Sequence, residues 1–362
     1  MFLGHTFERV GPPIFLLHFL RWLAEHDPRP FEVISLADGA LRPAFQELCP
    51  VTVVDGHGAP PGGSGRRSLV HLSDPGLIYV NTAISVRAAR SLPTLDAPWI
   101  AHVHELEVGL ALHIDQQDWA DLDRPGTHWI AASEAVADNL TARHGIERAA
   151  IQIHHEMIDA SGTEHPPAAA DLTERLALPA GSPVIGTVAV VNWRKAPDLF
   201  LQLAWRIARL PIDPPPHFVW VGGGASDARA RFGDDIRAAG LEDRVHLVAP
   251  VEDPLEWMRA FSVFVLPARE DAFPLACLEA ASVSCPTVCF DSGGIPEFVE
   301  SDAGVVVPYP DLDRFALAVA DLLRDPARRA ALGEVARSRV WDRHHVGVAA
   351  PALHSALTTW AR

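Results

Sequence analysis

Residues 263–297 read VFVLPAREDAFPLACLEAASVSCPTVCFDSGGIPE. An apolar run, Val263 to Pro267, leads through a polar turn into a helical stretch. A second apolar run, Thr287 to Asp291, follows and ends in a Gly-Gly turn. Short β-rich runs separated by helical patterns are the signature of a parallel α/β sheet. Pro274 suits a first helical turn, where its fixed φ and missing N–H cost nothing, so the spacing predicts a helix from near Phe273. Unpaired amides and a partial positive charge make such a helix start a natural site for a diphosphate.

The same rhythm extends in both directions. Upstream, strands are expected at Phe2 to Thr6, Phe31 to Leu36, Val51 to Asp55, Leu77 to Asn81, Trp99 to His104, Trp129 to Ala132 and Ile151 to Ile158. A second series comprises Val184 to Val191, His217 to Val221, Val245 to Val248, Val263 to Pro267, Thr287 to Asp291 and Val305 to Pro308. Between them, Ser161 to Ser182 has the Pro- and Ala-rich composition of a linker. The expected fold class is α/β, two Rossmann-like domains with a central cleft. The expected boundaries are a first domain over 1–165, a linker over 166–182 and a second domain over 183–340. Over 341–362 a helix is expected to return to the first domain.

Composition narrows the function. With 362 residues, 48% of them hydrophobic, the chain can bury two cores of roughly 150 residues each. A formal net charge of −16 and the lack of a basic stripe argue against nucleic acid as a partner. No run of 18 apolar residues occurs, so no transmembrane segment is expected, while peripheral membrane contact stays open. The stretch Ile14 to Leu20 is short and contains His18, which argues against a signal-peptide core and for a cytoplasmic protein, free or at the inner face of the membrane. Cys49, Cys277, Cys285 and Cys289 show no C-x-x-C spacing and read as reduced core thiols. Of the eighteen histidines, the adjacent pairs His154, His155 and His344, His345 lack helical i, i+4 ligand spacing, and no metal is expected.

Among 30 basic residues there is a single lysine, Lys195, in the segment Val191-Asn-Trp-Arg194-Lys195-Ala-Pro after the first strand of the second series. A lysine kept where arginine serves everywhere else suggests a site that needs a compact point charge. In the first domain, His5 ends the opening strand, and Gly11, Pro12 and Pro13 open a helix. The sequence Ala101-His102-Val103-His104-Glu105 sends both histidines to one face of a strand. The loop Gly56 to Arg67 is rich in Gly and Pro.

Asp271 and Glu279 enclose seven residues, with Phe273, Pro274 and Leu275 between them. Together with the turn Ser292-Gly293-Gly294-Ile295-Pro296-Glu297, this pattern resembles the family 4 retaining glycosyltransferases, which have the GT-B fold. The resemblance spans nearly the whole chain. It implies a metal-independent enzyme, without cofactor, that moves a sugar from a nucleoside-diphosphate-sugar donor to a hydroxyl acceptor in a polysaccharide, glycolipid or small molecule. It further implies that Glu279 binds the ribose, Asp271 the transferred sugar, and the amides near Phe273, Pro274 and Leu275 the β-phosphate. Lys195 and Arg194 would hold the diphosphate, and Gly293 and Gly294 would give backbone access to the donor. His104, oriented by Glu105, would face the donor sugar, with His5, Gly11 and Pro12 on the acceptor side. At about 1.5 Å per residue the two carboxylates would stand roughly 10 Å apart, the span from a hexose across a diphosphate to a ribose.

The chain departs from the family in three places: Asp271 where most members have Glu, Arg194 directly adjacent to Lys195, and Ala196 where a glycine usually follows. A noncatalytic sugar-nucleotide-binding protein and a sugar-nucleotide epimerase of the same fold are the alternatives.

Overall fold

The computed structural model describes residues 1–54, 75–92, 97–163, 175–176 and 178–361. The chain divides into two compact units. One is Met1–Asp159 with His344–Arg362, and the other is Ala160–Arg343. The chain thus changes unit between Asp159 and Ala160 and again between Arg343 and His344. Residues 166–174 and 177 of the expected linker, and the loop Gly56 to Arg67, lie outside the described residues.

The first unit is built on strands β1 (Phe2–Gly4), β2 (Val33–Ser35), β3 (Val51–Val53), β4 (Ile78–Asn81), β5 (Trp99–Val103), β6 (Thr127–Ala131) and β7 (Ile151–Ile153). They form one parallel sheet in the order β3-β2-β1-β4-β5-β6-β7. The second unit carries β8 (Val184–Val188), β9 (His217–Val221), β10 (Val245–Val248), β11 (Val263–Leu266), β12 (Thr287–Phe290) and β13 (Gly304–Val307), ordered β10-β9-β8-β11-β12-β13. Every apolar run read from the sequence contains a strand. Most of the strands are shorter than the runs, because apolar residues continue past the hydrogen-bonded ladder where helices cover both faces.

Strand order reverses between β1 and β4 in one sheet and between β8 and β11 in the other. At such a switch point the loops leaving the two strands part to opposite faces, which opens a crevice at their carboxyl ends. The loops after β8 and β11 carry Lys195 and Asp271. The loops after β1 and β4 carry His5 and Thr82.

In the second unit Trp220 of β9 meets Phe200 edge-on at 5.3 Å and Phe232 at 5.4 Å. Its indole Nε1 donates to Ala189 O at 2.9 Å, so the core directly braces the loop after β8. In the first unit the helix Val346–Trp360 continues from His345, which bridges to Ile158. Trp360 stacks on His128 at 4.5 Å, and His354 Nε2 bonds Asp27 Oδ2 at 2.7 Å. All four cysteines are free, and burial pushes the Cys285 thiol up to about 12.

Gly333 sits inside the helix Pro326–Arg339, where a Cβ would lie 2.1 Å from the Ser284 carbonyl oxygen. In an open helix Gly→Ala stabilises by about 0.5–1 kcal/mol. Here the backbone contact reverses the sign, and Gly333→Ala is expected to destabilise by about 1–3 kcal/mol. Urea unfolding monitored by tryptophan fluorescence reads the difference.

Candidate donor-site geometry

Four loops at the carboxyl ends of β9, β8, β11 and β12 are tied to one another. Beyond β8, Ala189 N donates to Val221 O at 3.0 Å and Val191 N to Gly223 O at 2.7 Å. Gly222 and Gly224 have φ of +152° and +140°. A Cβ there would lie 2.0 Å from Ala189 O and 2.8 Å from Val191 O respectively. Only glycine permits that approach at those angles. This VGGGAS run is not among the candidate site residues named from the sequence, although a triple glycine directly after a strand is itself a signal of close backbone approach.

The next residues form a tight turn. Asn192 Oδ1 accepts from Lys195 N at 3.0 Å, and Ala196 N donates to Asn192 O at 3.2 Å. Ala196 is then left-handed, with φ 57° and ψ 60°, before Pro197 opens the helix Pro197–Ile207. The left-handed position costs a non-glycine residue about 1–2 kcal/mol. This is the position where the family pattern has glycine, so the departure in sequence is also a local strain in structure.

The turn aims the Lys195 ammonium at Asp271 Oδ2, an ion pair between residues 76 apart in sequence. The Lys195 and Asp271 side chains are 17% and 9% exposed, which places the pair largely out of bulk water. Asp271 O accepts from Gly294 N at 3.0 Å. Gly293 adopts φ +88°, with its Cβ position 1.9 Å from that same carbonyl oxygen. Ser292 Oγ donates to Ala268 O at 2.6 Å. Lys195, Asp271, Gly293 and Gly294 are therefore brought together. The Arg194 side chain is partly exposed, and its guanidinium makes no hydrogen bond or ion pair among the described residues.

The helix begins later than the sequence suggested. It spans Leu275–Ser282, with Pro274 as an extended N-cap at φ −74° and ψ 116° and no side-chain cap. A residue before proline is kept from helical angles, which excludes Phe273 from the helix. The helical rise therefore does not set the separation of Asp271 from Glu279, since residues 271–274 are not helical. Phe273, Pro274 and Leu275 bury their side chains, so what they can offer a ligand is backbone. Glu279 is half-buried between fully buried Leu278 and Ala280.

In the first unit, Thr82 takes φ +89° and shares hydrogen bonds with His5 Nδ1 at 3.2 Å and Ser85 Oγ at 2.7 Å. Asn81 Nδ2 donates to Pro12 O at 3.0 Å, beside Gly11 at the helix start. Burial, helped by His104 and His113, lowers His5 to about 4, so it is a neutral imidazole at physiological pH. His102 and His104 do share a face, their rings 4.0 Å apart.

His104 Nδ1 donates to Glu156 Oε1 at 2.6 Å, and Tyr79 OH bonds His102 Nδ1. Orientation of His104 by the Glu105 side chain is thus corrected to orientation by Glu156. The Glu105 carboxylate instead accepts from the backbone amides of His104 at 2.9 Å and Ala83 at 3.2 Å. Glu156 was missed because 52 residues separate it from His104, and nothing local marks it. His104 Nε2 is buried without a hydrogen-bond partner among the described residues. No cluster of three or more metal-ligating side chains forms among the described residues.

Residues 170–339 match the family model for glycosyl transferases group 1. The lipopolysaccharide core biosynthesis mannosyltransferase LpcC of Rhizobium leguminosarum bv. viciae is 32% identical over 185 residues, 49% of this chain and 51% of the relative. A D-inositol 3-phosphate glycosyltransferase of Streptosporangium roseum is 33% identical over 177 residues, 45% of this chain and 40% of the relative. The chain thus spans about half the length of the curated relatives it matches.

Anabaena HepE, crystallised with UDP-glucose, superposes with a TM-score of 0.82 at 19% identity over 99% of this chain and 98% of its own. Sucrose-phosphate synthase from Thermosynechococcus elongatus gives 0.75 at 18% identity, with coverage of 99% and 98%. These likenesses show the fold, which is of the GT-B type.

Two outcomes follow from this geometry. Gly293→Ala forces the Asp271 carbonyl to move and is expected to lower the thermal midpoint and to break the Lys195 ion pair, read by melting and by the Lys195 side-chain NMR signal. The second outcome concerns acid. His5, His18 and His154 are each lowered to about 4, principally by burial, from 6.5. Between those values the unfolded chain binds protons that the folded chain does not, so stability is full above pH 6.5 and falls as pH drops towards 4. Urea midpoints across pH 7 to 4 measure the slope, and His18→Gln should flatten it.

Proposed function

We propose that this chain is a retaining glycosyltransferase that moves a sugar from a nucleoside-diphosphate sugar to a hydroxyl acceptor without a metal. The observation that carries the reading is the Lys195–Asp271 pair, formed by loops on either side of the switch point in the second unit. In the first unit, outside the residues that the family model matches, the reading draws on the motif resemblance read from the sequence and on His104, whose Nε2 is unpaired among the described residues.

In this reading the Lys195 ammonium and Arg194 guanidinium hold the diphosphate, supported by backbone amides around Phe273, Pro274 and Leu275. Glu279 accepts from the ribose hydroxyls and Asp271 from the transferred sugar, with Gly293 and Gly294 giving the donor backbone access. His104 faces the sugar. His5, Gly11 and Pro12 line the acceptor side. The glycosidic carbon–oxygen bond to the β-phosphate breaks, the acceptor oxygen bonds to that carbon on the same face, and the acceptor proton passes to a phosphate oxygen. The two cations stabilise the charge that collects on the departing diphosphate, the task a divalent metal performs elsewhere. The proposed place of work is the cytoplasm, free or against the inner face of the membrane.

Thermal shift with UDP, GDP, ADP and dTDP is expected to single out one nucleotide, and the matching sugar donors are then offered with an acceptor panel. Lys195→Ala should lower turnover on the order of 10²- to 10³-fold, the usual loss for one preorganised charge. Turnover unchanged by that substitution removes Lys195 from the mechanism. Nucleotide binding without transfer to any acceptor favours the noncatalytic alternative, and donor altered in the absence of acceptor favours the epimerase.

A further inference from the structure

Arg269 precedes Asp271 by two residues in the loop after β11, and its contacts converge on the turn that carries Lys195. Its backbone N donates to Arg194 O at 2.8 Å. Its guanidinium donates to Trp193 O at 3.0 Å and to Asp198 Oδ1 and Oδ2 at 2.9 and 2.5 Å. It also lies 5.2 Å from the centroid of the Trp193 ring. Trp193 and Asp198 stand on either side of Lys195, so one side chain spans the turn from end to end, while its own backbone holds the middle.

We infer that Arg269, paired with Asp198, is a positioning residue that fixes the Trp193–Asp198 turn and so keeps the Lys195 ammonium on Asp271, ready for a nucleoside diphosphate. The diphosphate part rests on the function proposed above, whereas the clamp itself rests on geometry alone. Three considerations carry it. The turn contains left-handed Ala196, so without restraint it has backbone strain to release. A lysine side chain has many accessible rotamers, so it points reproducibly only from a fixed backbone. A two-pronged arginine–carboxylate pair sets direction as well as distance, which a single ammonium contact does not. Burial acts to raise the Asp198 carboxyl, yet the Arg269 hydrogen bonds prevail and hold it low, so the pair stays charged through neutral pH.

The solitary lysine makes the idea measurable. Reductive methylation of the intact chain with formaldehyde and cyanoborohydride, followed by peptide mass spectrometry, reads the reactivity of one side-chain amine. Lys195 should react slowly in the native chain. Asp271→Asn sets the released rate, and Arg269→Ala is expected to approach it, about tenfold above native, as expected for a turn no longer held in place. Asp198→Asn alters a side chain that is 49% exposed, and it provides the same reading should Arg269→Ala fold poorly.

General loosening is separated from positioning by the double variant. With Asp271→Asn already present, adding Arg269→Ala should leave the Lys195 rate within about twofold, because the two changes share one route. A native rate in both Arg269→Ala and Asp198→Asn overturns the inference, and so does a further large rise in the double variant. Calorimetry with UDP and GDP then bears on the other reading. If neither binds, ADP and dTDP are tried in turn, and only when none of the four binds the native chain is the proposed function in difficulty, while the methylation rates still decide the clamp.

Discussion

The contact between Lys195 and Asp271 is the interaction on which the second unit's site depends. A carboxylate as enclosed as Asp271 needs a partner, since losing one member of a buried pair is strongly destabilising. The partner arrives from a loop 76 residues away. That distance in sequence is bridged by the sheet, where β8 and β11 pair directly, with Val263 opposite Ile185. A turn of fixed backbone then carries the ammonium the remaining way. The carboxylate has its own backbone anchored from the other side by Gly294 N. Each of these steps is a hydrogen bond of the main chain or its close equivalent, so the pair inherits the rigidity of the sheet rather than the freedom of two side chains.

That arrangement explains why the glycines fall where they do. Gly222, Gly224 and Gly293 each approach a carbonyl oxygen of the adjoining loop more closely than a Cβ permits, and each holds a positive φ. They lie after β9 and β12, the outer neighbours of β8 and β11. The central two loops carry the charged groups while the flanking two supply support by backbone contact. In the first unit the corresponding switch point between β1 and β4 carries a different set. There Thr82, strained and bonded to neutral His5, stands beside Asn81, which fastens the start of the first helix.

Much of this was legible in the sequence, and the reasons are specific. Parallel strands are built from mostly apolar, β-branched and aromatic runs, so His217 to Val221 and Val245 to Val248 could be read with their exact limits even though each holds one histidine. Asp271, Gly293 and Gly294 were legible because they follow strands within one compact motif, and Lys195 because no other lysine competes with it. The helix start was misplaced because Pro274 was read as a first-turn residue, when its effect on Phe273 moves the boundary to Leu275. Glu156 and Arg269 were not legible. Their roles exist only once the chain is folded, the first across 52 residues to His104, the second across 71 to Asp198. No local pattern distinguishes either from a surface charge.

The division of labour between arginine and lysine follows from the same physics. The arginines act as structural forks. Arg87 and Arg90 both grip fully buried Asp118, and Arg339 holds the Phe298 and Val299 carbonyls together with Asp302. Arg269 does likewise between Trp193 and Asp198. A guanidinium suits such work because its planar donors fix an orientation. In the function proposed above, that rigidity would be a handicap at position 195, since a group that meets a carboxylate in the free protein and phosphate oxygens in a complex must satisfy both from one stem. An ammonium has three donors around a point charge and can keep one on Asp271 while turning the others elsewhere. On that proposal the chain uses its stiff cations to hold the backbone and its one lysine where the partner changes.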